Sequence, residues 1–262
     1  MEDYWGRDKA SKPMLPSIGI PTTAGTGSEA QSYALISQLS THRKMACGDI
    51  KARFKLVILD PELVLSVPMN TAIVTGIDSL SHAIESYVST AANPISQMYA
   101  REAWKLLDAN FGKVLDHSAT VDDWGQMLLG AHFAGHSIEN SMLGAAHAMA
   151  NPITAKLNLD HGIAVGLVLP YVIEFNSKTN KDLYRGFIEG INNNGDHVPE
   201  QLKNQIDKYF DLAKMPKNLT HYGIGEGDIE SLASEALQNW TAKFNPRPLE
   251  KSDFLDLYKN AL

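Results

Sequence analysis

The stretch Gly76-Ile77-Asp78-Ser79-Leu80-Ser81-His82-Ala83-Ile84-Glu85-Ser86-Tyr87 lies inside a long amphipathic run, Thr71 to Ser89, that reads as helix and sets the character of everything after Pro68. Toward the C-terminus, Ile95 to Leu115 repeats the pattern, with Tyr99, Trp104, Leu106, Leu107 and Phe111 near helical spacing. Val121 to Ile138 opens on Asp122-Asp123, acidic residues that suit the positive end of a helix dipole. Further helices are expected at about 141–156, 162–175, 199–213, 227–243 and 251–261, the last capped by Ser252. Asn192-Asn193-Asn194-Gly195-Asp196 and Phe244-Asn245-Pro246-Arg247-Pro248 mark loops.

Toward the N-terminus the pattern changes. Met14-Leu15-Pro16-Ser17-Ile18-Gly19-Ile20-Pro21 is a short apolar run between prolines, consistent with a buried strand. Phe54 to Leu59 is also strand-like, and Asp60-Pro61 stops it. Tyr33 to Gly48 has room for a strand, a turn and a second strand. The expected fold is an α/β remnant (residues 1–67) followed by an all-α domain (residues 68–262). A parallel sheet needs both faces covered, and residues 1–67 offer hardly any helix to do so. Either this piece packs on the helices alone, or part of its sheet is missing.

Composition narrows the class. A chain of 262 residues makes one large domain or two ordinary ones, and 44% hydrophobic with 20% charged residues is globular. Lys plus Arg is 23 and Asp plus Glu is 30, a net charge of −7 that argues against a nucleic-acid surface and against anionic membranes. A single cysteine, Cys47, excludes an intramolecular disulfide framework and any multi-cysteine metal site. The acidic, aromatic start Met1-Glu2-Asp3-Tyr4-Trp5 is no targeting signal. The longest apolar run, near Ile163 to Ile173, is interrupted by Gly166 and Pro170, so no membrane span is expected and a cytoplasmic location is the default.

The histidines carry the chemistry. Asp78 and His82 stand at i, i+4, on one helix face about one turn apart, where a carboxylate and an imidazole can share a divalent cation. In isolation that spacing more often marks a helix-surface hydrogen bond. His147 is surrounded by small residues, which suits close packing around a buried polar group that must find a partner. His161, in Asp160-His161-Gly162, lies just before an expected helix start. His132 and His136 share i, i+4 spacing but have no nearby carboxylate, and read as helix histidines. The run Pro21-Thr22-Thr23-Ala24-Gly25-Thr26-Gly27-Ser28-Glu29 offers hydroxyls, backbone N–H groups and close approach for phosphate or ribose oxygens, and equally reads as a plain strand-to-helix turn. It is neither a Walker loop nor a GxGxxG fingerprint.

These blocks together resemble one family. Pro21 to Glu29 is similar to the PTTAGTGSE signature of the iron-containing (group III, metal-dependent) alcohol dehydrogenases. Gly76 to Tyr87 resembles their GxDALxHAIEAY helix, His147 to Asn176 their second histidine block, and Phe244 to Pro248 their C-terminus. Glycerol dehydrogenase and dehydroquinate synthase share the architecture with motifs that fit less well. The resemblance implies a partial dinucleotide-binding sheet followed by a helical metal-binding domain. It implies Asp78, His82, His147 and His161 as ligands of one divalent metal, Fe(II), Zn(II) or another. It places Thr22, Thr23, Gly25 and Thr26 against NAD(P), with Lys44 near the ribose and Leu59 near the adenosine side; for Lys44 a solvated lysine is the alternative. The implied activity is hydride transfer between a small alcohol or aldehyde and nicotinamide, and a homodimer is compatible with it.

Two departures stand out. Where many relatives carry a histidine four residues after the third ligand, this chain has Asn151, whose amide cannot shuttle a proton at neutral pH but can orient a water or a substrate hydroxyl. The family's Gly-Gly-Gly-Ser pyrophosphate loop has no counterpart, since the chain contains no Gly-Gly pair. The expectation is an N-terminally truncated member with a complete C-terminus. The alternative function is a non-catalytic metal-binding helical protein, or a pseudoenzyme or assembly subunit derived from the family.

Overall fold

Strand character in the first third of the chain is confined to short pieces, as a computed structural model describing residues 2–38, 44–188 and 197–262 shows. β1 (Gly6–Arg7), β2 (Ile18–Gly19), β3 (Tyr33–Ser37), β4 (Lys44–Gly48) and β5 (Leu56–Val57) form two small sheets. In one, β4 runs parallel to β1 and antiparallel to β3; in the other, β2 and β5 pair in parallel, with Ile18 opposite Leu56 and Gly19 opposite Val57. Tyr33 to Gly48 thus gives the two strands expected, and the turn between them lies outside the described residues. The β2–β5 pair is shorter than its apolar runs suggest because Pro16 and Pro21 have no N–H to donate to a ladder. Ile18, Ile20, Leu56 and Ile58 stay 43–57% exposed, so the helices do not cover this sheet.

Helices occupy the rest: α1 (Met69–Val88), α2 (Pro94–Leu115), α3 (Val121–Glu139), α4 (Ala145–Leu157), α5 (His161–Ser177), α6 (Val198–Leu212), α7 (Ile229–Gln238) and α8 (Lys251–Ala261). Local chemistry starts several of them. The Asn93 side chain accepts from the N–H groups of Ile95 and Ser96, and Pro94 gives α2 a preset first residue. Thr120 and Asp123 cap α3 reciprocally: the hydroxyl of Thr120 accepts the Asp123 N–H, and the Asp123 carboxylate accepts the Thr120 N–H. α1, α2 and α3 pack on one another, α5 packs on α1, and α4 on α5 and α7, around a core in which Ile77, Leu80, Ile84, Leu107 and Phe111 are fully buried.

Three boundaries differ from the sequence reading. α4 begins at Ala145 rather than near 141. α7 stops at Gln238, well before 243, because Asn239 is extended and the Thr241 hydroxyl donates to the Gly144 carbonyl instead of continuing a helix. Ser252 lies within the first turn of α8, not at its cap; the Asp253 carboxylate accepts the Glu250 N–H in that role. The loop expected at 192–196 lies outside the described residues. Among the described residues no helix is long and apolar enough to cross a membrane.

Candidate metal centre

Two glycines let α5 approach α1 closely. A Cβ on Gly162 would stand 2.0 Å from the Val74 carbonyl oxygen and 3.2 Å from the Asp78 Cβ, and one on Gly166 would stand 2.6 Å from the Ile77 Cγ2. Only at that separation does His161, the first residue of α5, come beside Asp78 on α1. His147 arrives from the first turn of α4. One ligand atom each from Asp78, His147 and His161 lie within 4.8 Å of one another, the one such cluster among the described residues.

His82 is adjacent without belonging to that trio: its Nε2 is 3.5 Å from the Asp78 Oδ1, and its ring stacks on His147 with centroids 5.0 Å apart. His147 Nε2 is 3.6 Å from the same Asp78 oxygen. At those separations neither contact makes a good hydrogen bond. Asp78 Oδ1 and His147 Nε2 are buried with no hydrogen-bond partner, as is His82 Nδ1. Burial of unpartnered polar atoms is costly, so a cluster of them is a place where something else satisfies them. Two ligands about 2.1 Å from a tetrahedral cation lie roughly 3.4 Å apart, close to the separations found around Asp78. The donor set fits a divalent cation.

The electrostatics agree with that fit. Burial alone would push the Asp78 carboxyl up, but His82, His147 and His161 outweigh it and hold the group well below the usual carboxylate range. Burial drives His82 down to about 4, against the pull of Asp78, so its imidazole is neutral at pH 7 and free to ligate. For His147 burial is overcome by the carboxylates of Asp78 and Glu85, which lift it to about 9. A proton is the charge that the carboxylates draw in where a cation fits.

The Thr/Gly turn lies next to this cluster. Gly25 packs on Thr75 of α1, where an added Cβ would be 2.4 Å from the Thr75 Cβ. Thr75 is one helical turn ahead of Asp78. Thr22 and Thr26 are exposed, Thr23 is half-buried and Gly25 is buried. The turn follows the C-terminal end of β2, and Leu59, half-buried, follows the C-terminal end of parallel β5, the end of such strands where α/β folds bind ligands. Lys44 opens β4, and its side chain lies outside the described residues. Asn151 is half-buried on α4, one turn beyond His147.

Long-range partners escaped the sequence reading. His132, read as having no nearby carboxylate, has its Nδ1 3.0 Å from the Glu29 Oε1; the partner is 103 residues away and only the fold supplies it. Ser32 donates its N–H (2.9 Å) and hydroxyl (2.7 Å) to the two carboxylate oxygens of Glu139. Gly27, at φ +58, lies against Gly135, where a Cβ would meet the Gly27 carbonyl oxygen at 2.3 Å. These contacts fasten the turn to α3. Glu85 also went unnoticed as a functional candidate. It sits buried on α1, seven residues after Asp78 and so on the same helix face, a spacing that would have flagged it.

Comparison with known proteins points one way. The profile of the "Iron-containing alcohol dehydrogenase" family matches residues 1–61, and that of the "Fe-containing alcohol dehydrogenase family, C-terminal" matches residues 72–262. An NAD-dependent methanol dehydrogenase of Bacillus methanolicus is 32% identical across 100% of this chain and 70% of its own length. Lactaldehyde reductase of Escherichia coli K12 is 30% identical across 98% of this chain and 68% of its own. Among solved structures, an alcohol dehydrogenase from Oenococcus oeni superposes with a TM-score of 0.93 at 26% identity, covering 100% of this chain and 70% of that one.

Proposed function

We infer the chemistry of this chain from its family: it belongs to the iron-containing alcohol dehydrogenases, metal-dependent oxidoreductases that use NAD(P) to interconvert alcohols and aldehydes. In this reading Asp78, His82, His147 and His161 hold one divalent cation, Fe(II), Zn(II) or another. Residues 68–262 carry that site, and residues 1–67 present Thr22, Thr23, Gly25, Thr26, Lys44 and Leu59 to NAD(P). The observation that carries the reading is the set of buried, unpartnered ligand atoms around Asp78.

When bound, the cation supplies Lewis acidity to the oxygen of a small alcohol or aldehyde. The chain supplies the remainder. Asp78 would offset part of the cation's charge, the neutral ring of His82 would offer a lone pair, and His147 would do the same once the cation displaces the proton its carboxylate neighbours hold there. Burial keeps bulk water from competing at the three orphaned atoms. Gly25 against Thr75 brings the Thr/Gly turn to within a helical turn of Asp78, so residues that would hold NAD(P) stand beside those that would hold the cation. Asn151 can hold a hydroxyl or water in place but moves no proton itself. A cytoplasmic location and a homodimer belong to the same reading.

Metal analysis tests it. The purified chain should take up about one divalent ion, and His147→Ala and His161→Ala should each lower its affinity by more than about 100-fold, as expected for loss of a direct ligand. Unchanged metal content in both variants refutes the ligand set. NADH titration of the metal-loaded chain, followed by small-aldehyde turnover, distinguishes an oxidoreductase from the non-catalytic metal-binding alternative, which takes up metal and leaves NADH unbound.

A further inference from the structure

α4 begins without a cap of its own. Gly144 precedes it and offers no side chain, so the first N–H groups of the helix need partners from elsewhere. They find them across the fold. Ala145 N–H points to the Asn245 Oδ1 (3.3 Å), and Ala146 N–H donates to the Glu85 Oε1 (2.7 Å). The other oxygen of Glu85 is 2.5 Å from the His147 Nδ1 and 3.4 Å from the His147 N. One buried carboxylate thus caps the helix that carries His147 and also grips the far side of its ring.

We propose that Glu85 is a positioning residue, which by accepting the Nδ1–H of His147 keeps that proton in place and turns Nε2 toward Asp78, so that Nε2 is the nitrogen that gives up its proton and offers a lone pair when a cation enters. A carboxylate only accepts hydrogen bonds, and Glu85 already accepts from the α4 backbone, so the proton in the 2.5 Å contact resides on Nδ1. That leaves Nε2, the atom 3.6 Å from Asp78 Oδ1 and without any partner, as the nitrogen available to a metal. The Phe244-Asn245-Pro246-Arg247-Pro248 segment supports the same arrangement from below. Asn245 is buried between α4 and α5, bonded to Asn176 through both its oxygen and its nitrogen. It holds the N-terminus of α4 at the height where Glu85 can reach the ring.

The inference rests on the metal reading and is tested so that the two can fail separately. Glu85→Gln retains an oxygen for the Ala146 N–H but turns an amide donor toward Nδ1, which favours the tautomer with its proton on Nε2. Zinc affinity of the whole chain, measured by competition with a chromophoric chelator, should then fall about 10–100-fold while the helical circular dichroism persists. In the zinc-loaded wild type, nitrogen-15 spectra of the histidine rings should show a slowly exchanging proton on the His147 Nδ1. Zinc affinity of Glu85→Gln within about threefold of wild type, too small a loss for a group that orients a ligand, would overturn the proposal. So would a His147 Nδ1 without its proton, and this measurement decides the matter if Glu85→Gln does not fold. A wild-type chain that takes up no zinc overturns the metal reading and this inference with it; a wild type that binds zinc no more tightly than Glu85→Gln does overturns this inference alone.

Discussion

Ile77 on α1 and Ile18 on β2 are the same residue type in opposite circumstances. None of the surface of Ile77 is exposed, while 57% of that of Ile18 is. The contrast holds for their whole regions. A helix satisfies its backbone from within and needs neighbours only along one stripe, so the helices α1 to α8 can close a core among themselves. A two-residue strand draws its backbone partners from another strand and buries its side chains only if something covers the sheet. In the β2–β5 pair Ile18, Ile20, Leu56 and Ile58 keep about half of their surface open. The Asp78 cluster therefore sits among helices that pack on one another. The Thr/Gly turn sits in a region that is held by its contacts with α1 and α3.

Mutations that weigh the two regions against each other sharpen this view. The largest effect is expected of Ile77→Ala, a cavity in the closed core, at about 2–5 kcal/mol, against about 0.5 kcal/mol or less for Ile18→Ala; urea denaturation measures both, and equal costs would break the comparison. Gly162→Ala comes next. Its Cβ would meet the Val74 backbone at 2.0 Å, so α5 must shift, costing about 1–3 kcal/mol and displacing His161. A calorimetric scan and a metal titration should move together. Glu139→Gln leaves Ser32 with one acceptor where two were available, a local loss of about 1–3 kcal/mol. Faster amide exchange at Ser32 with unchanged exchange around Leu80 is the expected signature.

The smallest effect concerns the start of α3. The hydrogen bond from Lys113, followed by the Thr120 backbone N–H, draws the Asp123 carboxyl from 3.8 down to about 2. A carboxyl depressed in the folded state stabilises it above the unfolded value, and that contribution is lost as pH falls toward 2. Asp123→Asn should thus lower the melting temperature slightly at neutral pH, and the gap to wild type should close on acidification between those values. A gap independent of pH would rule this cap out as the source.

Helices were legible in the sequence because their signals are local. Asp122-Asp123 stands in the first turn of α3 as expected, and the apolar spacing of 95–115 survives intact in α2. Asp78 and His82 were legible as a pair on one helix face for the same reason, while their reading as ligands came from the resemblance. His147 and His161 were visible as candidates, and the resemblance grouped them with Asp78; their convergence in space depends on Gly162 and Gly166 meeting α1, which no local pattern states. Glu29 with His132, Ser32 with Glu139 and Glu85 with the start of α4 were out of reach for a like reason, since each pair is separated by 61 to 107 residues. The early end of α7 has the same origin. Thr241 ends the helical course by bonding to Gly144, a partner 97 residues back.

The contact of Gly25 with Thr75 makes α1 a shared ruler. Three residues separate Thr75 from Asp78, about 4.5 Å along the helix axis. The offset between the Thr/Gly turn and the Asp78 carboxylate is consequently graduated in helical rise and not in the play of a hinge. Rocking of the small sheets would leave it unchanged as long as the turn stays seated. A single residue inserted between positions 75 and 78, by contrast, would swing the aspartate about 100° around the axis and put the two marks on different sides of the scale.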